Sequence, residues 1–209
     1  ETQFNLPNMI DGGLDALFFV IYVGQTRESQ NPDALKAAGY RRAYQAAVEK
    51  FAAVHRFAGE IAPERVEIAL SAADLRRIHA NGKKAALMGV ENGYPLGEDL
   101  CCVEEFYKRG ARYLSLTHNG HNQLGDSHTG EREGWKWQGV SPLGEQVVAE
   151  MNRLGIMVDI SHASKQSMMQ SATLSRAPII ASHSGARALC NVSRNLDDEQ
   201  LVALKKTGG

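Results

Sequence analysis

An excess of one charge, long apolar runs and CxxC cysteine pairs are all missing from this chain. Its 23 basic and 24 acidic residues leave a formal charge of −1, so no broad basic field exists to hold nucleic acid or an anionic membrane surface. The longest apolar run, Ala16 to Val23, is far shorter than the ~20 residues of a transmembrane helix. We therefore predict no nucleic-acid partner and no transmembrane segment. The composition, 43% apolar and 22% charged, is typical of a soluble folded protein, and the compartment stays open between cytoplasmic and periplasmic or secreted.

The three cysteines do not have the CxxC spacing of a zinc or redox site. Cys101 and Cys102 are adjacent on a predicted helix, where neighbouring cysteines rarely bond each other. We interpret them as buried helix residues. Cys190 gives no basis for assigning a disulfide.

Short apolar runs alternate with segments of helical period along the chain. The predicted strands are 16–23, 85–90, 113–117, 156–160 and 178–181, and the predicted helices are 32–62, 72–80, 100–109, 143–154, 164–174 and 197–206. Pro32 and Pro142 stand where first helical residues are expected, and glycines follow several predicted helix ends. This alternation predicts an α/β fold with parallel strands and helical crossovers.

A barrel is the favoured form of this α/β fold. A doubly wound sheet that binds nucleotides usually carries a glycine-rich fingerprint after a strand, and neither GxGxxG nor GxxxxGKS occurs here. A TIM-like (β/α)8 barrel takes ~250 residues or more, whereas about five βα units are visible in this sequence. We therefore expect residues 1–209 to form a single barrel domain that is present only in part, as a fragment.

The segment 118–141 is the one long connection, rich in Gly, Asn and Asp and carrying Trp135 and Trp137. Long connections in compact α/β domains are usually lids or binding loops. The alternative is a solvated excursion that the two tryptophans anchor.

Chemically active side chains stand at the ends of the later predicted strands. Glu91 ends the second strand, and His118, His162 and His183 follow the third, fourth and fifth. The carboxyl ends of barrel strands share one mouth, so these side chains should converge there. Imidazole and carboxylate groups are ligands that Zn²⁺ prefers, and the pattern therefore favours a metal site.

Two other types of catalytic site compete with the metal site as interpretations of these residues. Asp159, Ser161 and His162 are close in sequence, but Asp159 and Ser161 share one strand face while His162 points to the other, and no GxSxG elbow is present. We reject serine catalysis on these grounds. Proton transfer by Glu91 and a histidine without a metal remains open.

The remaining histidines and one aspartate have less certain roles. His55 and His79 lie in helical patterns, which favours surface or packing positions, while His121 and His128 lie in the long connection, where lining of the site is one alternative. Asp159 either orients a metal-binding histidine or pairs with polar groups inside the barrel.

At these residues the chain resembles the membrane (renal) dipeptidase family, the M19 metallopeptidases. The resemblance covers nearly the whole chain in collinear segments, among them KKAALMGVENGYPLG, RYLSLTHNGHNQLGDS, IMVDISHAS, APIIASHSGARALC and SRNLDDEQL. It implies a (β/α)8 barrel that hydrolyses the peptide bond of dipeptides with two zinc ions bridged by a glutamate and a hydroxide. Homodimers occur among such relatives.

The resemblance also implies individual roles. Glu91 would bridge the two zinc ions, and His162 and His183 would bind the second one. His118 resembles the catalytic histidine that contacts the substrate and polarises its carbonyl, and Arg194 resembles the arginine that binds a substrate oxygen or carboxylate. The family's His-x-Asp metal ligands and proton-shuttling aspartate would lie outside residues 1–209. Two alternatives stay open: a related barrel recruited to another amide-processing or biosynthetic role, and a non-catalytic binding module.

Overall fold

The computed structural model describes residues 5–26 and 30–209, and its centre is a parallel β-sheet. The strands of this described part are β1 (Ala16–Tyr22), β2 (Val66–Ile68), β3 (Lys84–Glu91), β4 (Ala111–Ser115) and β5 (Met157–Asp159). Every strand pairing in the sheet is parallel. The carboxyl ends of the strands therefore share one edge of the sheet, as the alternating sequence pattern predicts.

The strand order is β1-β3-β4-β5, with β3 between two neighbours. Along one edge of β3 runs the whole of β1, with Tyr22 paired to Glu91. The other edge pairs first with β2, at Lys84 to Ala86, and then with β4. A parallel bridge between Asp159 and Ile180 extends the pairing beyond β5.

Helices connect these strands and enclose the core. They are α1 (Leu6–Asp11), α2 (Ala37–Arg56), α3 (Ala72–Ala80), α4 (Cys101–Lys108), α5 (Gly130–Glu133), α6 (Pro142–Leu154), α7 (Lys165–Leu174) and α8 (Asp198–Lys206). Side chains of Ser71, Ser141 and Ser164 accept backbone N–H groups at the starts of α3, α6 and α7, which satisfies donors that a helix leaves unpaired. Phe51 on α2 and Phe106 on α4 pack together in the core, with ring centroids 5.3 Å apart. None of the helices in the described ranges is both long and apolar enough to serve as a membrane span.

The start of α2 differs from the sequence prediction, which placed Pro32 at a first helical position. The Asn31 side chain accepts the N–H of Asp33 and its carbonyl accepts the N–H of Ala34, so this segment forms a turn instead. The helix begins at Ala37. Beyond Arg56 it continues as a single π-turn, Phe57–Ile61.

Some strands also differ from their predicted ranges. The short strand β2 was not predicted, because three residues are too few to show a period of two. The predicted strand 178–181 is reduced to the bridge at Ile180. The run predicted at 113–117 forms β4 two residues earlier, at Ala111–Ser115.

The prediction that Cys101 and Cys102 are both buried is wrong. Helix α4 turns Val103 and Phe106 toward the core, and Cys101 lies on the opposite side of the helix and is exposed. Cys102 is partly buried, and burial raises the pKa of its thiol to about 11. Cys190 is also a free, exposed cysteine.

Candidate metal centre

Glu91 is the last residue of β3 and stands beside Tyr22, the last residue of β1. The next residue, Asn92, has a positive φ of 78° and turns the chain away from the sheet. Its side-chain amide donates to the carbonyl of Val23, which fixes that turn. The Glu91 side chain, 15% exposed, is thereby held at the carboxyl edge of the sheet.

His162 lies beyond the end of β5 in a backbone conformation that L-residues rarely adopt. Its φ is +69°, in the left-handed region, which costs free energy for a residue with a Cβ. Its carbonyl accepts the N–H of His128 at 2.8 Å, a contact that holds the strained turn in place. The side chain is only 8% exposed and points to the same edge as Glu91.

The three residues expected to bind metal meet at one point. Oε1 of Glu91 lies 3.2 Å from His162 Nε2 and 3.0 Å from His183 Nε2, and the two Nε2 atoms are 3.0 Å apart. All three candidate ligand atoms fall within 4.8 Å of one another. The rim of the sheet therefore holds one carboxylate and two imidazoles at the spacing of a metal site.

His118, expected to contact the substrate, lies beside this cluster. Its Nε2 is 3.5 Å from Glu91 Oε1, and its ring centroid is 4.0 Å from that of His162. On its other side, Nδ1 is 3.4 Å from the phenol oxygen of Tyr22. The imidazole thus presents Nε2 to the centre and Nδ1 to β1.

Arg194 borders the same cluster. Its Nη2 donates to the carbonyl of His183 at 2.7 Å, and its Nη1 donates to Ser184 Oγ at 2.9 Å. Burial lowers the pKa of this guanidinium from its usual value, and the guanidinium stays charged at neutral pH. The structure therefore brings together all five residues that the sequence singled out.

The electrostatics of the cluster favour ionised carboxylate and neutral imidazole. Close contact with the His162 ring lowers the pKa of Glu91 and outweighs the opposing effect of burial. Burial lowers the pKa of His162, and burial followed by repulsion from His162 lowers the pKa of His118 to about 4. Glu91 and His162 thus carry at neutral pH the protonation states that metal binding requires.

The hydrogen bonding of His162 provides a test of whether a cation fits here. Its Nδ1 lies 2.9 Å from the amide oxygen of Asn119, and an amide oxygen can only accept a hydrogen bond. Nδ1 therefore carries the proton, and Nε2 turns a lone pair toward the Glu91 carboxylate. A lone pair and a carboxylate facing each other suit a bound cation, and this donor set suits zinc.

Three residues that touch the site were not singled out from the sequence: Tyr22, Asn119 and Ser182. Asn119 directly follows His118 and Ser182 directly precedes His183, where their side chains reach the neighbouring rings. Tyr22 ends β1 as Glu91 ends β3, so the strand-end rule could have found it. Asn119 and Ser182 required knowledge of how the loops fold.

The other histidines fall into two groups, exposed residues on helices and residues of the long connection, as the sequence predicts. His55 and His79 are exposed on helices, where His55 Nε2 meets the carbonyl of Arg109 and His79 faces Asp15. His121 pairs with the buried Asp126 at 2.9 Å and remains outside the cluster. His128 lies nearer, with its ring centroid 5.8 Å from that of His162 and its Nε2 on Asn119 Oδ1 at 2.9 Å.

Most of the long connection is packed into the molecule, and its middle, residues 131–138, is exposed. Asn122, Leu124 and Asp126 are completely buried, although Trp135 and Trp137 remain partly exposed. The Asp126 carboxylate accepts the backbone N–H groups of residues 136, 137 and 139, which fold the connection back on itself. This folding holds Asn119 and His128 next to His162.

The arrangement needed for serine catalysis is not formed among the described residues. Ser161 Oγ accepts the backbone N–H of His183, while the Nδ1 of His162 is bound to Asn119. No hydrogen bond joins Ser161 to the His162 ring in the described residues, in line with the opposite strand faces that the sequence indicated.

Comparison with known proteins identifies the family. The model of the membrane dipeptidases, peptidase family M19, matches residues 1–209. The chain belongs to the M19 family. Dipeptidase aclJ of Aspergillus oryzae is 34% identical over 99% of this chain, and Dipeptidase 3 of Mus musculus is 36% identical over 99%. The chain covers 48% and 39% of these two relatives, so it spans about half their length or less.

Solved M19-like structures share the fold. The probable dipeptidase PvdM from Pseudomonas aeruginosa superposes with a TM-score of 0.86 at 32% identity, covering all of this chain and 52% of that one. A metallo peptidase from Rhodobacter sphaeroides, liganded with a phosphinate mimic of the dipeptide L-Ala-D-Ala, gives 0.82 at 28% identity, covering 99% of this chain and 63% of that one. These matches confirm the predicted TIM-barrel-like α/β class for this M19 chain.

Proposed function

We propose that this M19 chain forms part of a zinc-dependent dipeptidase, with Glu91, His162 and His183 as metal ligands. The observation that carries the proposal is the convergence of three ligand atoms within 4.8 Å at the carboxyl edge of the sheet. Strand ends are where barrel enzymes assemble their sites. Family membership supports a peptide-bond hydrolase, because the matched relatives are named dipeptidases.

In this proposal Glu91 would hold both zinc ions, and His162 and His183 would hold the second. When bound, such a pair of ions supplies a water that is deprotonated near neutral pH and serves as the nucleophile. The resemblance assigns the remaining metal ligands, a His-x-Asp pair, and a proton-shuttling aspartate to positions outside residues 1–209. Assays of activity therefore need the full-length protein.

His118 is the proposed catalytic residue and substrate contact. Because its pKa is about 4, its ring is neutral at physiological pH. Contact with Tyr22 on the Nδ1 side favours a proton on Nε2, which faces the centre. An Nε2–H donor there can stabilise the negative charge that develops on the carbonyl oxygen, an effect worth a few kcal/mol per donor.

Arg194 is the proposed anchor for the free carboxylate of the substrate. A guanidinium can form two parallel hydrogen bonds with a carboxylate, and this one lies against the carbonyl of a metal ligand. A carboxylate anchored this close to the centre leaves room only for a short substrate. Dipeptides or similar small amides are therefore the proposed partners. The Rhodobacter relative, crystallised with a dipeptide mimic, supports this substrate class. We propose a homodimer from the resemblance alone.

Dipeptide hydrolysis by the full-length protein tests the function directly. Removal of metal with a chelator should abolish release of free amino acids, and added zinc should restore it. Glu91→Gln should remain inactive with zinc, whereas the exposed Glu145→Gln should behave as wild type. Turnover that persists without any divalent ion would contradict the proposal. A zinc-loaded protein that cleaves no dipeptide would favour another amide substrate or a binding role.

A further inference from the structure

The ring of His183 is held from its Nδ1 side by a chain of hydrogen bonds that begins at Asp159. We infer that Asp159, acting through the hydroxyl of Ser182, positions His183 as the tautomer with its proton on Nδ1. Nε2 is then left with a free lone pair toward Glu91. The consequence for zinc rests on the proposed function, whereas the tautomer itself does not.

Asp159 is a completely buried acid whose two oxygens act as acceptors. Oδ1 accepts the backbone N–H groups of Ser161 at 3.1 Å and Ser182 at 2.9 Å. Oδ2 accepts the hydroxyls of Ser115 at 2.5 Å and Ser182 at 2.7 Å. Four donors from three segments of the chain therefore fix this carboxylate in one orientation.

The hydroxyl of Ser182 has one proton and two lone pairs to distribute. The Ser182 hydroxyl donates its hydrogen bond to the Asp159 carboxylate, because hydrogen bonds to ionised acceptors are the stronger ones. Toward His183 Nδ1, 2.8 Å away, Ser182 Oγ can then present only a lone pair. The imidazole must be the donor of that hydrogen bond, which places its proton on Nδ1.

Other contacts of His183 agree with this role of Ser182. The backbone N–H of His183 donates to Ser161 Oγ at 3.0 Å, and its carbonyl accepts from Arg194. The side chain, by contrast, is 46% exposed, so packing alone does not restrain the ring. On the Nδ1 side the hydrogen bond to Ser182 therefore orients the ring, and Nε2 faces Glu91 Oε1 and His162 Nε2, each 3.0 Å away.

The tautomer matters because a metal binds the nitrogen that carries a lone pair. The Nε2 of His183 lies 3.0 Å from Glu91 Oε1, on the side where the candidate ligands converge. A proton on Nε2 would block that position. Partners that fix the tautomer of a metal-binding histidine are typically worth ~10- to 100-fold in metal affinity.

Asp159→Asn is the sharpest variant, because it reverses the direction of the hydrogen bonds that run from Asp159 through Ser182 to His183. The backbone N–H groups of Ser161 and Ser182 would still donate to an oxygen, so the amide oxygen of Asn would face them. The amide NH₂ would then face Ser182 Oγ. Ser182 would then accept from Asn and donate its own proton to His183 Nδ1. We expect His183 to change to the tautomer protonated on Nε2, by the same logic that an Asp→Asn change imposes the wrong tautomer on a catalytic histidine.

Ser182→Ala and Ser115→Ala form a matched pair. Each removes one hydroxyl from the same oxygen of Asp159, but only Ser182 contacts the ring of His183. Ser182→Ala should give a mixture of tautomers and a zinc affinity lowered ~10- to 100-fold. Ser115→Ala should keep the wild-type tautomer. Ser182→Thr, which retains a hydroxyl, should rescue both properties.

The measurement is nitrogen NMR of the metal-free, full-length protein with ¹⁵N-labelled histidine, because ring-nitrogen shifts distinguish protonated from unprotonated atoms. Signals of His183 are assigned by their loss in His183→Gln. Wild type should show the proton on Nδ1 and Asp159→Asn the proton on Nε2. A wild-type His183 protonated on Nε2 overturns the inference even if every variant fails to fold. So does a folded Ser182→Ala with the wild-type tautomer and zinc affinity.

Zinc titrations of the same proteins separate this inference from the proposed function. If zinc does not bind the wild type but the tautomers respond as described, the metal proposal fails and the positioning role of Asp159 stands. If zinc binds equally well to Ser182→Ala, Ser115→Ala and wild type, and His183 has the same tautomer in all three, the positioning role fails and the metal proposal stands.

Discussion

Histidine protonation in this protein is decided by burial and by the acceptor that faces each ring nitrogen. His128 shows both effects, because Asn119 Oδ1 lies 2.9 Å from its Nε2 and Ser193 Oγ lies 3.0 Å from its Nδ1. Burial lowers its pKa to about 4 from an ordinary value near 6.5. At neutral pH the ring is therefore an uncharged link between the long connection and the segment that carries Arg194.

This lowered pKa predicts a pH dependence of stability. Below pH 6.5 the unfolded chain takes up a proton at His128 that the folded chain accepts only near pH 4. The free energy of unfolding should therefore fall as pH drops through this window, by at most ~1.4 kcal/mol per pH unit for one proton. His128→Gln should flatten the decline in denaturant titrations of the metal-free protein.

The exposed His55→Gln is the control for this effect and should retain the wild-type slope. Comparison of variants is needed because His118 also titrates in this window, its pKa being lowered to about 4. A His128→Gln protein with the same pH dependence as wild type would contradict the assigned cause.

At the scale of elements, the long connection depends on one buried carboxylate. Asp126 accepts backbone N–H groups from residues 136, 137 and 139, at 2.9 to 3.1 Å for the shortest contact of each. Asp126→Asn replaces one of its two oxygens with a donor, which leaves buried N–H groups unpaired at a cost of about 1–3 kcal/mol each.

We expect Asp126→Asn to increase hydrogen exchange at these backbone groups and to shift the fluorescence of Trp135 and Trp137. Glu145→Gln makes the same chemical change at an exposed site on α6 and should leave both unchanged. Exchange rates in Asp126→Asn equal to those of wild type would show that other contacts hold the connection.

The close packing of strand β3 against β4 can be tested at Gly89. A Cβ at this position would overlap the ring of Tyr113 on β4, and Gly89 itself is paired with Tyr113. Gly89→Ala should therefore lower the free energy of unfolding by at least ~1–3 kcal/mol, the usual cost of overpacking. Gly59→Ala, where a Cβ meets nothing within 4 Å, should be close to neutral in the same denaturant titration. Equal stability of the two variants would contradict the packing described for β3.

Helices with a regular apolar period and a side-chain cap could be predicted from the sequence. Very short strands and segments that begin at a turn could not. Helix α3 occupies its predicted range, 72–80, because Ser71 caps its start and its apolar period is regular. The predicted beginning of α2, at Pro32, is wrong because the side chain of Asn31 forms a competing turn. Strand β2 is set by pairing with β3, a tertiary contact that leaves no local signal.

At the scale of the whole molecule, the site follows from the parallel sheet. Its strand ends share one edge, so Glu91, His118, His162 and His183 could be proposed as neighbours from their positions alone. The partners that orient these rings could not, because Asn119 and Ser182 reach them through loop conformations and the left-handed backbone at His162. The fold places the candidate ligands, and the loops set their protonation.

Anomalous diffraction at the zinc edge, from crystals of the full-length protein, tests the metal proposal most directly. We predict a peak within ~2.0–2.2 Å of the Nε2 atoms of His162 and His183 and of a Glu91 oxygen, as zinc coordination requires. A second peak should share Glu91, and both should vanish in Glu91→Gln. Zinc-soaked crystals with no anomalous density among these three side chains, or with density only elsewhere, would contradict the assignment.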